Sequence, residues 1–339
     1  MWWGPLIAGI ASWACTLWMV RHPERLPLDR PNERSLHLRP VPRLGGVAIM
    51  CGLLFAVGCV RPEGLGIVLL CATALSIISV LDDYWQLSAR IRFGTHLLAA
   101  GSCVVASAPL GTEVWLLFSL VFAVCWSTNL YNFLDGSNGL AGGMAVFGFS
   151  SYALLAANAG DSSLATVSGM LAAASLGFLV FNFHPAQIFM GDGGSIPLGF
   201  LAGTIGFLGV WRGRWTGFVP PLVFAPFLLD ASVTLCRRLL NGEKFWQPHK
   251  THYYQRLIRM GWSHRKTALM EYSVMLGCGL SALLMQAMPE SRNQVLGIWS
   301  ILFTGFALTI DARWHSSQAA AQQPATESPS RTTDLRRAA

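Results

Sequence analysis

LGIVLLCATALSIISVLDD, residues 65–83, decides how this chain is built. An uncharged, mostly apolar run from Leu65 to Leu81 stops abruptly at two adjacent acids, Asp82 and Asp83. As a helix that run rises about 25 Å, close to the roughly 30 Å of a bilayer's hydrocarbon. Comparable runs recur at 2–20, 44–60, 93–109, 114–130, 142–158, 163–182, 196–211, 216–236, 267–288 and 294–311. The whole chain is 53% hydrophobic and 12% charged, against about 25% charged in a soluble domain. A soluble fold needs a polar shell that this composition cannot supply. The fold class is therefore all-α: a polytopic transmembrane helix bundle of about eleven helices, carried by residues 1–311. Residues 312–339, polar from His315 onward, are expected to form a disordered cytoplasmic tail.

The basic residues orient the bundle. With the segment after the first span placed in the cytoplasm, 20 of the 24 Lys and Arg fall on the cytoplasmic side. Arg61, Arg212, Arg214 and Arg292 fall on the other. That asymmetry puts the N-terminus out and the C-terminus in. The first run has no basic residue before it and Arg21, His22 and Arg25 after it, which reads as a retained helix rather than a signal peptide. The formal net charge of +7 belongs to membrane-flanking loops, so anionic lipid explains it and nucleic acid is not an expected partner. Eight cysteines lie in or beside apolar runs without paired spacing, and they read as small buried hydrophobes.

Five polar clusters then fall on the cytoplasmic side, where ionisable groups near a membrane are costly and tend to carry function. DRPNERSLHLRPVPRLGG, residues 29–46, offers Arg34, His37 and Arg43 for phosphate, with a Gly45-Gly46 pair that lets backbone approach; a plain basic loop is the alternative. Asp82 and Asp83 end a helix where its dipole disfavours negative charge, so Mg2+, Arg90 or Arg92 should compensate them. Asn129, Asn132, Asp135 and Asn138 recur every three residues, as a polar face for base, ribose or hydrated cation or as a seam between helices. In FMGDGGS, residues 189–195, Asp192 sits among glycines just before a helix, which suits a divalent cation and a phosphate; a capping turn is the bland reading. PHKTHYYQR, residues 248–256, brings His249, Lys250, His252 and Arg256, suited to a diphosphate. Zinc is disfavoured there, because no third ligand lies at suitable spacing.

Taken in order, DRPNERSLHLRPVPRLGG, LDD, NFLDGSNGLAGG, FMGDGGSIPLGF and the histidine loop resemble the polyprenyl-phosphate N-acetylhexosamine-1-phosphate transferases, over residues 1–311. The resemblance implies catalytic roles for Asp82, Asp83, Asp135 and His252, and a metal ligand in Asp192. Arg34, His37, Arg43, Asn129, Asn132, Asn138, His249, Lys250 and Arg256 are then the expected substrate-binding residues. It further implies Mg2+ as cofactor, with Mn2+ as a substitute, undecaprenyl phosphate and a UDP-sugar as substrates, and a cytoplasmic-face site in a bacterial inner membrane. A homodimer is a candidate assembly. Two departures bear on the sugar. Asn138 stands where many members carry a second aspartate, and Tyr254 and Gln255 replace two histidines after His252. That variant loop is similar to the branch that starts O-antigen synthesis, which implies a deoxy N-acetylhexosamine donor rather than plain GlcNAc. A lipid-linked-sugar flippase, the competing class, would need charges buried mid-span and repeat symmetry.

Overall fold

The computed structural model describes residues 3–29, 31, 40–244, 247 and 249–322. Arg34 and His37 lie outside the described residues. Thirteen α-helices form among those described: α1 (Trp3–Arg21), α2 (Gly45–Val60), α3 (Gly66–Trp85), α4 (Ala89–Ser107), α5 (Val114–Phe133), α6 (Leu140–Asn158), α7 (Ser162–Asn182), α8 (Asp192–Trp211), α9 (Val219–Val223), α10 (Ala225–Leu240), α11 (Tyr253–Arg259), α12 (His264–Ala287) and α13 (Arg292–Gln322). One short antiparallel pair, β1 (Leu28–Asp29) with β2 (Val41–Pro42), and two 3-10 turns at Pro23–Arg25 and Pro289–Ser291 complete the inventory of the described residues. The chain is an all-α, multi-pass membrane protein, and every expected span corresponds to a helix.

Three boundaries differ, each for a physical reason. Helix α3 runs through both acids to Trp85, because arginines from elsewhere neutralise them. The span at 216–236 is broken at Phe224 into α9 and α10; Pro226 in the first turn of α10 has no N–H to continue a helix across the break. Helix α13 continues to Gln322, so the tail expected from residue 312 starts as helix. Its alanine- and glutamine-rich end is a good helix former even without an apolar face.

Helix α8 is the axis of the bundle: 89% of its span is buried, against 11% for α13. It packs on α3 and α5, while α7 packs on α1 and α6. Association of apolar helices in lipid depends on close van der Waals approach through small residues. At Gly199 of α8, an added Cβ would lie 2.8 Å from the Ser127 carbonyl oxygen of α5; Ser127 Oγ donates to the Gly199 carbonyl at 2.9 Å. Outward faces are apolar, with Leu98, Phe118, Phe122 and Ile301 exposed as lipid-facing positions. Contacts gather the loop segments at 22–29, 40–44, 134–139, 183–191 and 249–263 at one end. Those at 61–65, 159–161 and 212–218 lie at the other, where Arg212 Nη2 donates to the Gly64 carbonyl at 3.0 Å.

Candidate active site

The site assembles on the first turn of α8. Gly191 adopts φ 70°, a left-handed value that favours glycine. Asp192 follows as the first helical residue, which places its carboxylate at the positive end of the helix. The extended residues before it are stitched to the loop leading into α2. Phe189 N–H donates to the Pro42 carbonyl at 2.8 Å; Gly45 and Gly46 N–H donate to the Phe189 and Met190 carbonyls, both at 2.9 Å. Gly46 and Gly194 meet backbone to backbone, and a Cβ on either would overlap the other's Cα. Ser76 Oγ of α3 donates to the Gly193 carbonyl at 2.7 Å. These ties bring α2, α3 and α8 together and deliver Arg43, Asp82, Asp83 and Asp192 to one place.

There the acids meet two arginines. Arg43 Nη2 lies 3.2 Å from Asp83 Oδ1, and Arg92 Nη1 lies 3.1 Å from Asp82 Oδ2 and 3.7 Å from Asp192 Oδ2. The compensation expected of the paired acids is thus supplied by Arg92, and by Arg43 from the first loop. One demand is left open. Asp83 Oδ2 is buried and accepts no hydrogen bond, a costly arrangement unless a cation or donor reaches it. Asp135 joins from the loop after α5, accepting from the Gly191 N–H. Burial, and then the nearby charge of Asp192, raise its carboxyl well above the usual range.

The amide stripe is divided rather than shared. Asn132 Oδ1 accepts from Ser195 Oγ at 2.6 Å, which ties α5 to the first turn of α8. Asn129 donates to the Cys125 carbonyl of its own helix at 2.7 Å, so nothing joins it to the acids. Asn138 Nδ2 lies 3.0 Å from His184 Nδ1, and Ser137 Oγ lies 2.8 Å from His264 Nδ1. Neither histidine stood out in the sequence, since each is alone in its segment.

The histidine loop reaches the site through α11. Tyr254 is 1% exposed. Its hydroxyl donates to the Phe133 carbonyl at 3.5 Å and packs on Gly136, so α11 sits against the turn that carries Asp135. His252 stacks near Phe133 and Tyr254, with ring centroids 6.4 and 6.1 Å away. Its Nδ1 faces Asp230 Oδ1 of α10 at 3.3 Å. Asp230 was missed, because one acid within an apolar run gives no local sign of a partner 22 residues on. His249 Nδ1 takes Thr251 Oγ1 at 2.9 Å; burial first, then the charges of His252 and Arg238, lower its pKa to about 4. Its ring lies beside that of His252, with centroids 4.7 Å apart. Arg256 is a correction: its Nη1 pairs with Asp311 of α13 at 2.7 Å, its Nε donates to the Thr251 carbonyl, and its plane covers Tyr253 and Trp314. The guanidinium is engaged in holding α11 to α13. Lys250 offers its carbonyl to Arg259 at 3.2 Å.

A divalent cation fits these residues. The groups paired with Arg43 and Arg92 are carboxylate oxygens of Asp82, Asp83 and Asp192, the hard ligands that Mg2+ takes. Among the described residues no three His, Cys, Asp or Glu form a closed ligand set. Mg2+ is commonly held by only one or two protein carboxylates with substrate phosphates and water as its remaining ligands. Asp192 and the unpartnered Oδ2 of Asp83 are the residues able to supply them.

The chain also has relatives among known proteins. Residues 65–210 match the model of "Glycosyl transferase family 4". The chain is 32% identical over 300 residues to the probable undecaprenyl-phosphate N-acetylglucosaminyl 1-phosphate transferase of Bacillus subtilis (strain 168), covering 84% of this chain and 82% of that protein. It is 31% identical over 291 residues to the decaprenyl-phosphate N-acetylglucosaminephosphotransferase of Mycobacterium tuberculosis (strain ATCC 25618 / H37Rv), 71% of each chain. It is 26% identical over 307 residues to the undecaprenyl-phosphate alpha-N-acetylglucosaminyl 1-phosphate transferase of Escherichia coli O157:H7, 83% of each.

Proposed function

The chain belongs to the polyprenyl-phosphate N-acetylhexosamine-1-phosphate transferase family, and from that premise we propose that it moves an N-acetylated hexosamine-1-phosphate from a UDP-sugar to undecaprenyl phosphate at the cytoplasmic face of a bacterial inner membrane. The observation that carries this reading is the convergence of Asp82, Asp83, Asp135 and Asp192 with Arg43 and Arg92 at the α8 N-terminus. Four acids gathered at one membrane end are an expensive arrangement for a structural purpose. They suit a site where polyanionic substrates arrive with a cation.

In the proposed reaction a phosphate oxygen of the lipid attacks the sugar-bearing phosphorus of the UDP-sugar. The bond from that phosphorus to the bridging oxygen breaks, UMP leaves, and a lipid-diphospho-sugar forms. Two anions must be held in line, so positioning and charge neutralisation carry most of the barrier lowering. Mg2+ held by Asp192 and Asp83, with Mn2+ as a substitute, would supply charge neutralisation at the UDP diphosphate. Arg43 and Arg92 hold Asp83 and Asp82 in place and add positive charge beside the acids. Asn132, fixed by Ser195, holds the end of α5 on the α8 turn and so sets where Asp135 stands. His252, brought over the Asp135 turn by α11, is the group for the leaving phosphate. A phosphate monoester with second pKa near 6 is mostly ionised at neutral pH, so base catalysis by Asp82 or Asp83 ranks behind positioning.

The finer reading of the donor is a deoxy N-acetylhexosamine, starting O-antigen or another surface glycan. Its support is the departure at Tyr254 and Gln255, which lie against the Asp135 turn and so shape the floor near His252. UDP-GlcNAc is the second reading, favoured by the names of the relatives. Purified protein with undecaprenyl phosphate, Mg2+ and a panel of UDP-sugars, assayed for UMP, tests both. Faster release with UDP-FucNAc or UDP-QuiNAc than with UDP-GlcNAc supports the first; the reverse order supports the second. No release with any donor would overturn the reaction itself and favour a flippase.

A further inference from the structure

Asp230 is the most heavily engaged acid outside the α8 cluster. Its side chain is 9% exposed. Oδ1 accepts from the Tyr253 N–H at 2.8 Å and from Thr234 Oγ1 at 3.3 Å, and Oδ2 accepts from the Tyr254 N–H at 3.0 Å. The His252 ring adds Nδ1 at 3.3 Å from Oδ1. The carboxylate therefore closes the first turn of α11 and faces the ring of the residue before it with one pair of oxygens.

We propose that Asp230 is a positioning residue for His252: it fixes the imidazole with Nδ1 as donor and Nε2 as the nitrogen left for the reacting phosphates. A carboxylate accepts and cannot donate, so the ring nitrogen facing it carries the proton. The other nitrogen is then the one with a lone pair, or with the exchangeable proton when the ring is charged. A partner on one ring nitrogen sets both tautomer and ring orientation. The backbone bonds serve the same end. Because Tyr253 and Tyr254 N–H bind the same carboxylate, α10 fixes the height and rotation of α11 at the point where His252 begins it. Tyr254, stacked near His252 and hydrogen-bonded to the Phe133 carbonyl, holds the other side against the Asp135 turn. This inference rests on the reading of His252 as a phosphate-facing group.

The test is a double-mutant cycle on UMP release with Asp230→Asn and His252→Ala, singly and together, in the full-length purified protein. An asparagine keeps the shape but presents an amide where Tyr254 N–H or His252 Nδ1 needs an acceptor. The expected result for Asp230→Asn is a kcat lowered about 10- to 100-fold, with KM for the nucleotide sugar little changed and a shifted acid limb of the pH profile. In the His252→Ala background the same change should have almost no further effect. A loss that multiplies with that of His252→Ala, or near-normal kcat in Asp230→Asn, overturns the proposal. Near-normal turnover in His252→Ala alone instead overturns the reading of His252. Should Asp230→Asn not give folded protein, Thr234→Val removes a donor to the same Oδ1 without touching the ring. A kcat defect that vanishes without His252 supports the proposal, and one that persists contradicts it.

Discussion

Asp135 and Asp161 stand at opposite ends of the bundle and are treated in opposite ways. Asp161, in the turn before α7, accepts from the Leu164 N–H at 3.0 Å and lies 3.3 Å from both Arg212 and Arg214. Burial would raise its carboxyl, but the N–H and the two guanidiniums outweigh it and hold the pKa below the ordinary value. Asp135 has one backbone donor, and burial and the charge of Asp192 lift it instead. The first acid is satisfied by its own protein. The second is in an arrangement that its own protein leaves short of positive charge. Perturbed acids of this kind cluster at functional sites, which supports the proposal that the end holding Asp135 carries the chemistry while the end holding Asp161 is structural.

Substitutions can separate the two. Asp135→Asn should lower UMP release by about 100- to 1,000-fold, as loss of one stabilising group in a preorganised site does. The same variant should keep its thermal midpoint in detergent, because burial and Asp192 already favour the neutral carboxyl that the amide mimics. Asp161→Ala should do the reverse. It removes a helix cap and two partly exposed ion pairs, a cost of about 1 to 2 kcal/mol, while turnover per folded molecule is unchanged. Arg256→Ala should resemble Asp161→Ala more weakly, at about 1 kcal/mol, since Arg237 remains 2.6 Å from Asp311. Substantial loss of kcat in that variant would return Arg256 to the substrate. The smallest effect is in pH. A depressed folded-state pKa at Asp161 contributes stability above the unfolded value of 3.8, lost as pH falls through the folded value. Wild type should therefore lose this increment below about pH 4 in thermal melts, and Asp161→Ala should lack that part of the acid dependence.

The membrane architecture was legible because hydrophobic length is a local property: each expected span meets a helix, apart from the break at Phe224 and the extension of α13 to Gln322, and eight of the described helices are long and apolar enough to cross a bilayer. The acids that the structure gathers at the start of α8 also stood out in the sequence, since charge at the end of an apolar run is conspicuous. What escaped depends on distant partners. Arg92 was expected beside Asp82 and Asp83, but Arg43, which pairs with Asp83 from a loop 40 residues earlier, was not. Arg256 looked like a phosphate ligand until Asp311, 55 residues away, claimed it. Asp230 carried no local sign of its bonds to α11. The periodic spacing of Asn129, Asn132 and Asn138 suggested one face, but the helix ends at Phe133 and each amide turns to a different partner.

The account stands most directly on Asp192. Purified Asp192→Asn protein, given undecaprenyl phosphate, Mg2+ and the donor that wild type uses best, should release no UMP above background, while Asp161→Asn measured beside it should match wild type. Near-normal, Mg2+-dependent UMP release by Asp192→Asn would contradict the assignment of the reaction to the N-terminal end of α8.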